Sequence, residues 1–260
     1  MTAVTLRVHD GIAHLTLNSP KTGNALDPGL THAFRDAAES LEGRDDVGAV
    51  ILSGAGKNFC VGGDLRFMHG AGDDVADAVF GLASTMHAGI EALASLDAPV
   101  ISAVRGAAAG GGMSIAISAD LVLASETANF TVAYTAIGFS TDGGASWTLP
   151  RLVGLRRAME LALLNERLSA AQAHELGIVT RVVGDEALEF EAEKLARRLA
   201  DGPVGAHAAV KRLIRGSSTS TFNSQLALEA HTIAGLSAAP DGREGVLAFL
   251  DKRAPHFGEP

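Results

Sequence analysis

The sequence predicts an α/β fold that ends in a helical region. Strand-like apolar runs alternate with patterns of helical spacing over most of the chain. In the middle, residues 98–125 combine an apolar β-branched run, a glycine triplet and two further apolar runs, which indicates a strand, a turn, a buried helix and another strand. From Glu186 onwards only helical patterns remain. We therefore predict an α/β core over residues 1–194 and a helical region over residues 195–260.

The N-terminal elements follow from periodicity and capping signals. Residues 5–8 and 12–17 alternate on either side of His9-Asp10-Gly11 and predict the two strands of a hairpin. Asp27 and Pro28 predict the start of a helix, as its N-cap and its first residue. Further elements are predicted as a strand over 47–52, a helix over 75–96, a strand over 100–104, a helix over 113–118 and a strand over 121–124.

The segment after the central stretch contains more helix than strand. We predict a loop from Phe130 that ends in glycines, and then helices over 146–152 and 156–165. Ser169 and Gln172 have the spacing of a capping box and open a short helix. Residues 178–183 are predicted as the last strand.

Composition excludes several classes of function. The 260 residues carry a net charge of −9 without a basic cluster, which argues against nucleic acid and membrane surfaces as partners. A single cysteine excludes a disulfide framework and fits a reducing compartment. No signal peptide and no apolar run long enough to cross a bilayer is visible, so we expect a cytoplasmic protein.

The glycine triplet at residues 110–112 is the strongest functional signal. A helix that begins on consecutive glycines offers unpaired backbone N–H groups that could hold an anion or a developing oxyanion. A dinucleotide turn is a weak alternative, because the only tyrosine, Tyr134, lacks a lysine four residues later. A serine hydrolase using Ser114 is also weak, since G-x-S-x-G is absent. A buried helix without function is the remaining alternative.

A second glycine-rich stretch follows the strand at 47–52. Gly56 and Lys57 suggest a phosphate-binding loop, but the required first glycine and the Ser/Thr after the lysine are missing. Cys60 has no neighbouring histidine or cation in the sequence, so we interpret it as a small buried packing residue rather than a nucleophile.

Taken together, these motifs resemble the crotonase (enoyl-CoA hydratase/isomerase) superfamily. The resemblance spans nearly the whole chain in family order. It rests on Asn24-Ala25-Leu26, Phe59 to Leu65, Gly106 to Asp120, Leu149 to Gly154, Ser169 to Gly177, and Phe249 with Lys252-Arg253.

The resemblance implies a fold, an assembly and a substrate. It implies a spiral of ββα turns, a helical trimerisation region, a homotrimer or a dimer of trimers, and an acyl-CoA substrate with no metal and no redox cofactor. It assigns the oxyanion hole to the N–H groups of Val61 and Gly111. It assigns CoA binding to Ala25, Val61, Gly62, Gly63, Asp64, Leu65, Phe249 and Lys252.

The acid residues depart from the hydratase pattern. Hydratases of the family carry two glutamates, at positions that are Ser114 and Tyr134 here. A serine or tyrosine hydroxyl has too high a pKa to replace a carboxylate base at neutral pH. Asp142 is the one nearby acid, and dienoyl-CoA isomerases and the ring-epoxide isomerases of phenylacetate degradation are similar to this sequence in carrying an aspartate there. Asp142 could also serve as the N-cap of the next helix.

Three functional hypotheses follow. The first is an acyl-CoA isomerase in which Asp142 carries the proton. The second is a hydratase, hydrolase or ring-acting enzyme of the same family with unusual acids. The third is a catalytically silent acyl-CoA binder.

Overall fold

The computed structural model describes residues 2–258. Within this range the strands, in chain order, are β1 (Val4–His9), β2 (Ile12–Leu17), β3 (Ala49–Gly54), β4 (Val100–Val104), β5 (Ala107–Ala109), β6 (Leu121–Ser125), β7 (Asn129–Thr131), β8 (Leu168–Ser169) and β9 (Arg181–Val183). The α-helices are α1 (Pro28–Glu39), α2 (Leu65–Gly70), α3 (Val75–Ser95), α4 (Gly111–Ser118), α5 (Ala145–Val153), α6 (Leu155–Leu164), α7 (Ala170–Glu175), α8 (Leu188–Ala200), α9 (Val204–Gly216), α10 (Phe222–Ala238) and α11 (Pro240–Leu250).

The main sheet has six strands in the order β1-β2-β3-β4-β6-β9. The hairpin pair β1 and β2 is antiparallel, and every following pair is parallel. Parallel strands need crossover connections, and the helices supply them. The predicted α/β class is therefore confirmed.

Both faces of this sheet are covered. In β3, Val50 and Leu52 belong to the larger apolar cluster, which includes residues of α1, α3 and α4. Their neighbours Ala49 and Ile51 belong to a second cluster with residues of α8. Alternate residues of a strand point to opposite faces, so an unbroken apolar run is what a doubly covered strand requires.

Several local predictions are confirmed. β2 and β4 have the predicted bounds, and the Asp27 carboxylate caps α1 by accepting the N–H of Leu30 at 2.8 Å. Ser169 and Gln172 form the predicted capping box of α7. The last strand is shorter than predicted, because only 181–183 pair with β6.

A second, three-stranded sheet was not predicted. It has the order β5-β7-β8. β5 and β7 occupy segments that the sequence analysis interprets as a glycine turn and a loop, and β8 ends at Ser169, which the sequence analysis interprets as a helix cap. In this sheet Ala107 pairs with Asn129, and Phe130 pairs with Leu168. Strands this short show no usable alternation, and their partners are distant in sequence, so periodicity cannot detect them.

The C-terminal region is helical, as predicted. The predicted boundary between residues 194 and 195 falls within α8, which packs on the sheet. Farther along, α10 has no buried residue in this chain, and α11 has one. The trimer stays a prediction. Among the helices of residues 2–258, none combines the length and apolarity that crossing a bilayer requires.

Candidate active site

The two glycine-rich stretches meet at a cavity of about 760 Å³. Its wall is mostly apolar, with residues from α2, α3, the start of α4 and the segment before α5. The lining residues are Leu26, Val61, Gly62, Gly63, Leu65, Met68, Val75, Ala76, Val79, Phe80, Leu82, Ala83, Met86, Gly110, Gly111, Ala133, Tyr134, Ala136, Ile137, Phe139, Ser140 and Asp142. Within the described chain, Asp142 is the only carboxylate in that wall.

Main-chain contacts hold the two glycine-rich stretches together. Cys60 forms an isolated bridge with Ala108, in which each N–H···O distance is 3.0 Å. Behind this bridge, a Cβ added to Gly112 would lie 2.2 Å from the Cys60 carbonyl oxygen. Only glycine allows the first turn of α4 to approach that closely. The start of α4 is therefore fixed against the 59–63 loop.

The N–H groups of Gly63 and Gly111, both at the cavity wall, have no acceptor within residues 2–258. Gly111 is the first residue of α4, so its N–H cannot be used inside the helix. Gly63 forms an isolated parallel bridge with Leu26, and the bridge uses the two neighbours of Gly63. The Leu26 N–H donates to the Gly62 carbonyl, and the Asp64 N–H donates to the Leu26 carbonyl. The N–H of Gly63 is thereby left free.

The Val61 N–H, which the resemblance assigns to the oxyanion hole, already donates a hydrogen bond within the chain. The Val61 N–H donates to the Gly23 carbonyl at 3.2 Å, although the Val61 side chain does line the cavity. The sequence motif does not reveal which N–H of the loop is free, because that depends on how the loop pairs with residues 23–26.

Three side chains converge at the other part of the wall. The Tyr134 hydroxyl donates a short hydrogen bond to Oδ1 of Asp142. Ser114, which is buried in α4, lies 3.0 Å from the Tyr134 hydroxyl and donates to the Asp142 carbonyl at 3.0 Å. Among the described residues no donor contacts Asp142 Oδ2 at hydrogen-bond distance, so that oxygen is available to a bound molecule. The Asp142 side chain makes no N-cap hydrogen bond to α5.

Burial and the nearby Asp142 carboxylate raise the pKa of Tyr134 far above its ordinary value of 10.0. The neutral form of a phenol is favoured when the group is desolvated and next to a negative charge. Tyr134 is therefore a hydrogen-bond donor to Asp142 at every working pH, and it cannot act as a base.

One residue of the site, His87 on α3, was missed by the sequence analysis. Its Nε2 accepts the Gly143 N–H at 2.9 Å and lies 3.9 Å from Asp142 Oδ2. A weak signal was present: Val79 and Ala83 line the cavity, and His87 follows them at helical i+4 spacing.

The residues assigned to CoA fall into two groups. Ala25 is buried beside Leu26, and Gly62, Gly63 and Leu65 line the cavity. Asp64 caps α2, accepting the Arg66 N–H at 2.8 Å.

Phe249 and Lys252 do not line this cavity in the single chain. Phe249 is largely exposed and borders a separate apolar cavity between α9, α10 and α11. Cys60 is fully buried, and burial raises its pKa to about 12, which agrees with a packing role. In residues 2–258 no three His, Cys, Asp or Glu side chains cluster as metal ligands would.

Comparison with known proteins finds relatives that match nearly the whole chain. The sequence profile of the family described as "Enoyl-CoA hydratase/isomerase" matches residues 7–260. The chain is 40% identical over 256 residues to 1,2-epoxyphenylacetyl-CoA isomerase from Escherichia coli K12, with 96% of each chain covered. It is 34% identical over 251 residues to trans-2-decenoyl-acyl-carrier-protein isomerase from Streptococcus mutans, covering 96% of this chain and 95% of that one. A crystal structure of an enoyl-CoA hydratase from Polaromonas sp. JS666 matches with a TM-score of 0.93 and 34% identity, covering 97% of this chain and 98% of that one.

Proposed function

The chain belongs to the enoyl-CoA hydratase/isomerase family, and on that premise we propose that it shifts a double bond in an unsaturated acyl-CoA with Asp142 as the proton carrier. The observation that carries this proposal is that residues 2–258 place a single carboxylate in the cavity wall, with one oxygen held by Tyr134 and the other free. One carboxylate can remove a proton and return it elsewhere. The named relatives include isomerases and a hydratase, so the family alone does not select the reaction.

The thioester carbonyl is proposed to accept hydrogen bonds from Gly63 and Gly111. Both N–H groups are free at the cavity wall, whereas that of Val61 is engaged, so Gly63 replaces Val61 in our assignment. Backbone donors that are fixed before the reaction stabilise negative charge on oxygen without reorganising during it. Gly111 adds the positive end of α4.

For a 3-enoyl thioester, Asp142 Oδ2 removes a proton from C2, and the C–H electron pair delocalises through the double bond to the carbonyl oxygen, giving a dienolate. Return of the same proton to C4 restores the carbonyl and leaves the double bond between C2 and C3. Tyr134 donates to Oδ1 throughout, so the carboxylate does not rotate between the two transfers.

Hydration is disfavoured by the same geometry. Adding water across a double bond requires a water molecule that is oriented and activated by acid–base groups. Ser114 is already hydrogen-bonded to Tyr134 and to main-chain carbonyls, and the Tyr134 hydroxyl donates its hydrogen bond to Asp142. Neither side chain is therefore available to orient a water molecule. No second carboxylate lines the cavity in the part of the chain that the structure describes.

Substrate binding is proposed to combine the apolar cavity, which holds the acyl chain, with Ala25 and the 61–65 loop, which hold the CoA. No metal or redox cofactor enters the proposal. Phe249 and Lys252 remain CoA-binding residues by resemblance only, since they lie outside the cavity in one chain.

The test compares isomerisation and hydration by the same enzyme. Wild-type protein should isomerise 3-enoyl-CoA faster than it hydrates 2-enoyl-CoA across chain lengths. Asp142→Asn should lower isomerisation at least ~10²-fold while acyl-CoA binding is retained, in line with typical general acid–base contributions. The exposed Asp45→Asn serves as the control with the same chemical change.

Each alternative predicts a different result. Hydration outpacing isomerisation in the wild type would favour a hydratase with unusual acids. Binding without exchange of C2 or C4 protons in deuterated water would favour a silent binder.

A further inference from the structure

The His87 ring has a defined protonation state in this structure. The backbone N–H of Gly143 donates to Nε2 at 2.9 Å, so Nε2 presents a lone pair and the ring proton sits on Nδ1. The ring is therefore neutral. The 3.9 Å approach of Nε2 to Asp142 Oδ2 is then not an ion pair, because neither atom carries a proton between them.

Gly143 needs this acceptor. Gly143 is buried and is the residue directly after Asp142, and its N–H has no other acceptor among residues 2–258. A buried N–H that loses its partner costs free energy comparable to a lost hydrogen bond. His87 is half-exposed on α3, and it supplies this partner from an element outside the loop.

The segment that carries Asp142 and Gly143 would be mobile without an anchor. Gly143 and Gly144 both have positive φ, +61° and +76°, and consecutive glycines restrict the main chain less than any other pair. On one side the loop packs against α4, where a Cβ added to Gly143 would lie 2.6 Å from Ser114 Cβ. The peptide that follows Asp142 is held at both ends: Ser114 and the Ala145 N–H donate to the Asp142 carbonyl. The Gly143 N–H of that peptide is held by His87.

We infer that His87 is a positioning residue for the Asp142 carboxylate: its neutral imidazole holds the Gly143 N–H and thereby keeps Oδ2 directed at the substrate. This inference rests on the proposed role of Asp142. It assigns His87 no proton transfer. The ring contributes a lone pair at the place of Nε2, and any neutral acceptor at that place would serve.

Two substitutions separate this role from its alternatives. His87→Gln places an amide oxygen near the position of Nε2, so it keeps a neutral acceptor, whereas His87→Leu removes it. We expect His87→Leu to lower kcat for 3-enoyl-CoA isomerisation by between about 10- and 100-fold, the usual effect of a small misplacement of a catalytic group. KM should change little, because His87 does not line the cavity. His87→Gln should recover most of kcat.

A second readout does not depend on activity. Amide hydrogen exchange at Gly143 should be roughly fivefold faster in His87→Leu, the factor that corresponds to one ordinary hydrogen bond, and close to wild type in His87→Gln. The control is His32→Leu, since His32 is an exposed histidine on α1 that bonds only its own helix, through the Pro28 carbonyl. It should change neither readout.

Several outcomes would overturn the inference. Wild-type kcat in His87→Leu, with fast exchange at Gly143, would mean that the loop contact does not position Asp142. Equal loss of kcat in both variants, with normal exchange in His87→Gln, would mean that His87 itself transfers protons. If the wild type isomerises no unsaturated acyl-CoA, the proposed function fails. Exchange at Gly143 then still decides whether an acceptor at residue 87 holds the loop, and unchanged exchange in His87→Leu would refute it.

Discussion

The cavity has one wall fixed by main-chain contacts and another fixed by side chains. The glycine wall, residues 59–63 and 106–112, packs backbone against backbone and offers the free N–H groups of Gly63 and Gly111. The carboxylate wall, residues 134–144, is held by Ser114 and His87, which reach it from two helices.

This difference separates the part of the site that the backbone fixes from the part that side chains determine. A Cβ added to Gly62, Gly106 or Gly112 would lie 2.8 Å or less from a main-chain oxygen, so the geometry of this wall, and with it the proposed stabilisation of an oxyanion, is tied to the fold. A side-chain wall can exchange its acids without moving the backbone. Where the resemblance leads to an expectation of two glutamates, this wall carries one acid, Asp142, which the Tyr134 hydroxyl contacts and Ser114 supports.

The largest effect is expected from breaking the glycine wall. Gly112→Ala would place a methyl group 2.2 Å from the Cys60 carbonyl oxygen, and neither main chain can yield without breaking the Cys60–Ala108 bridge. We expect the free energy of unfolding to fall by about 3 kcal/mol or more. Chemical denaturation with activity measured in parallel checks this.

The matched control is Gly81→Ala on α3, where an added Cβ meets nothing within 4 Å. It should be neutral or stabilising by up to ~1 kcal/mol, because alanine favours a helix over glycine. Equal stability of the two variants would contradict the distinction between the walls.

A smaller effect is expected from the carboxylate wall. Tyr134→Phe removes the donor to Asp142 Oδ1 and the hydroxyl contact with Ser114 Oγ but keeps the ring, so kcat should fall about tenfold with the fold intact, in line with one hydrogen bond to a charged group. A loss of stability as large as that of Gly112→Ala would contradict the comparison.

The pH dependence of this variant follows from the raised pKa of Tyr134. The hydroxyl is protonated across the neutral and mildly alkaline range, so the ratio of wild-type to variant kcat should be constant there. The contribution of the neutral Tyr134 phenol to the free energy of unfolding is complete at pH values below its ordinary pKa of 10.0. This contribution declines as the pH rises above 10.0, because the phenol loses its proton in the unfolded state first. A ratio that changes near neutral pH would indicate that Tyr134 titrates.

The smallest effect concerns Cys60, which lies inside the glycine wall. Burial raises the pKa of its thiol from 9.0 to about 12, so the native protein should not react with a thiol reagent at mildly alkaline pH. Unfolded protein should react with one equivalent. The stability due to the neutral thiol is complete below pH 9 and is lost as the pH rises towards 12. Rapid reaction of the native protein would show that the wall opens.

Local elements could be predicted from the sequence because their signals are local. Asp27 before Pro28 and the pair Ser169 with Gln172 define helix starts within a few residues, and the structure confirms both caps. Parallel strands buried on both faces are continuous apolar runs, so β3 and β4 were visible.

The parts that could not be predicted depend on distant pairing. β5 is three residues long and becomes a strand only beside β7. The free N–H at Gly63, rather than Val61, depends on contacts with residues 23–26. His87 meets Gly143 across 56 positions, and no spacing rule connects them.

The most direct test of the two-wall account is a structure with a saturated acyl-CoA, which binds without reacting. In that structure the thioester oxygen should lie about 3 Å from the N atoms of both Gly63 and Gly111, the distance that an oxyanion hole requires. The C2 carbon should lie beside Asp142 Oδ2. A thioester oxygen bound at Val61, or an acyl chain whose C2 lies nearer another acid–base group than Asp142, would contradict it.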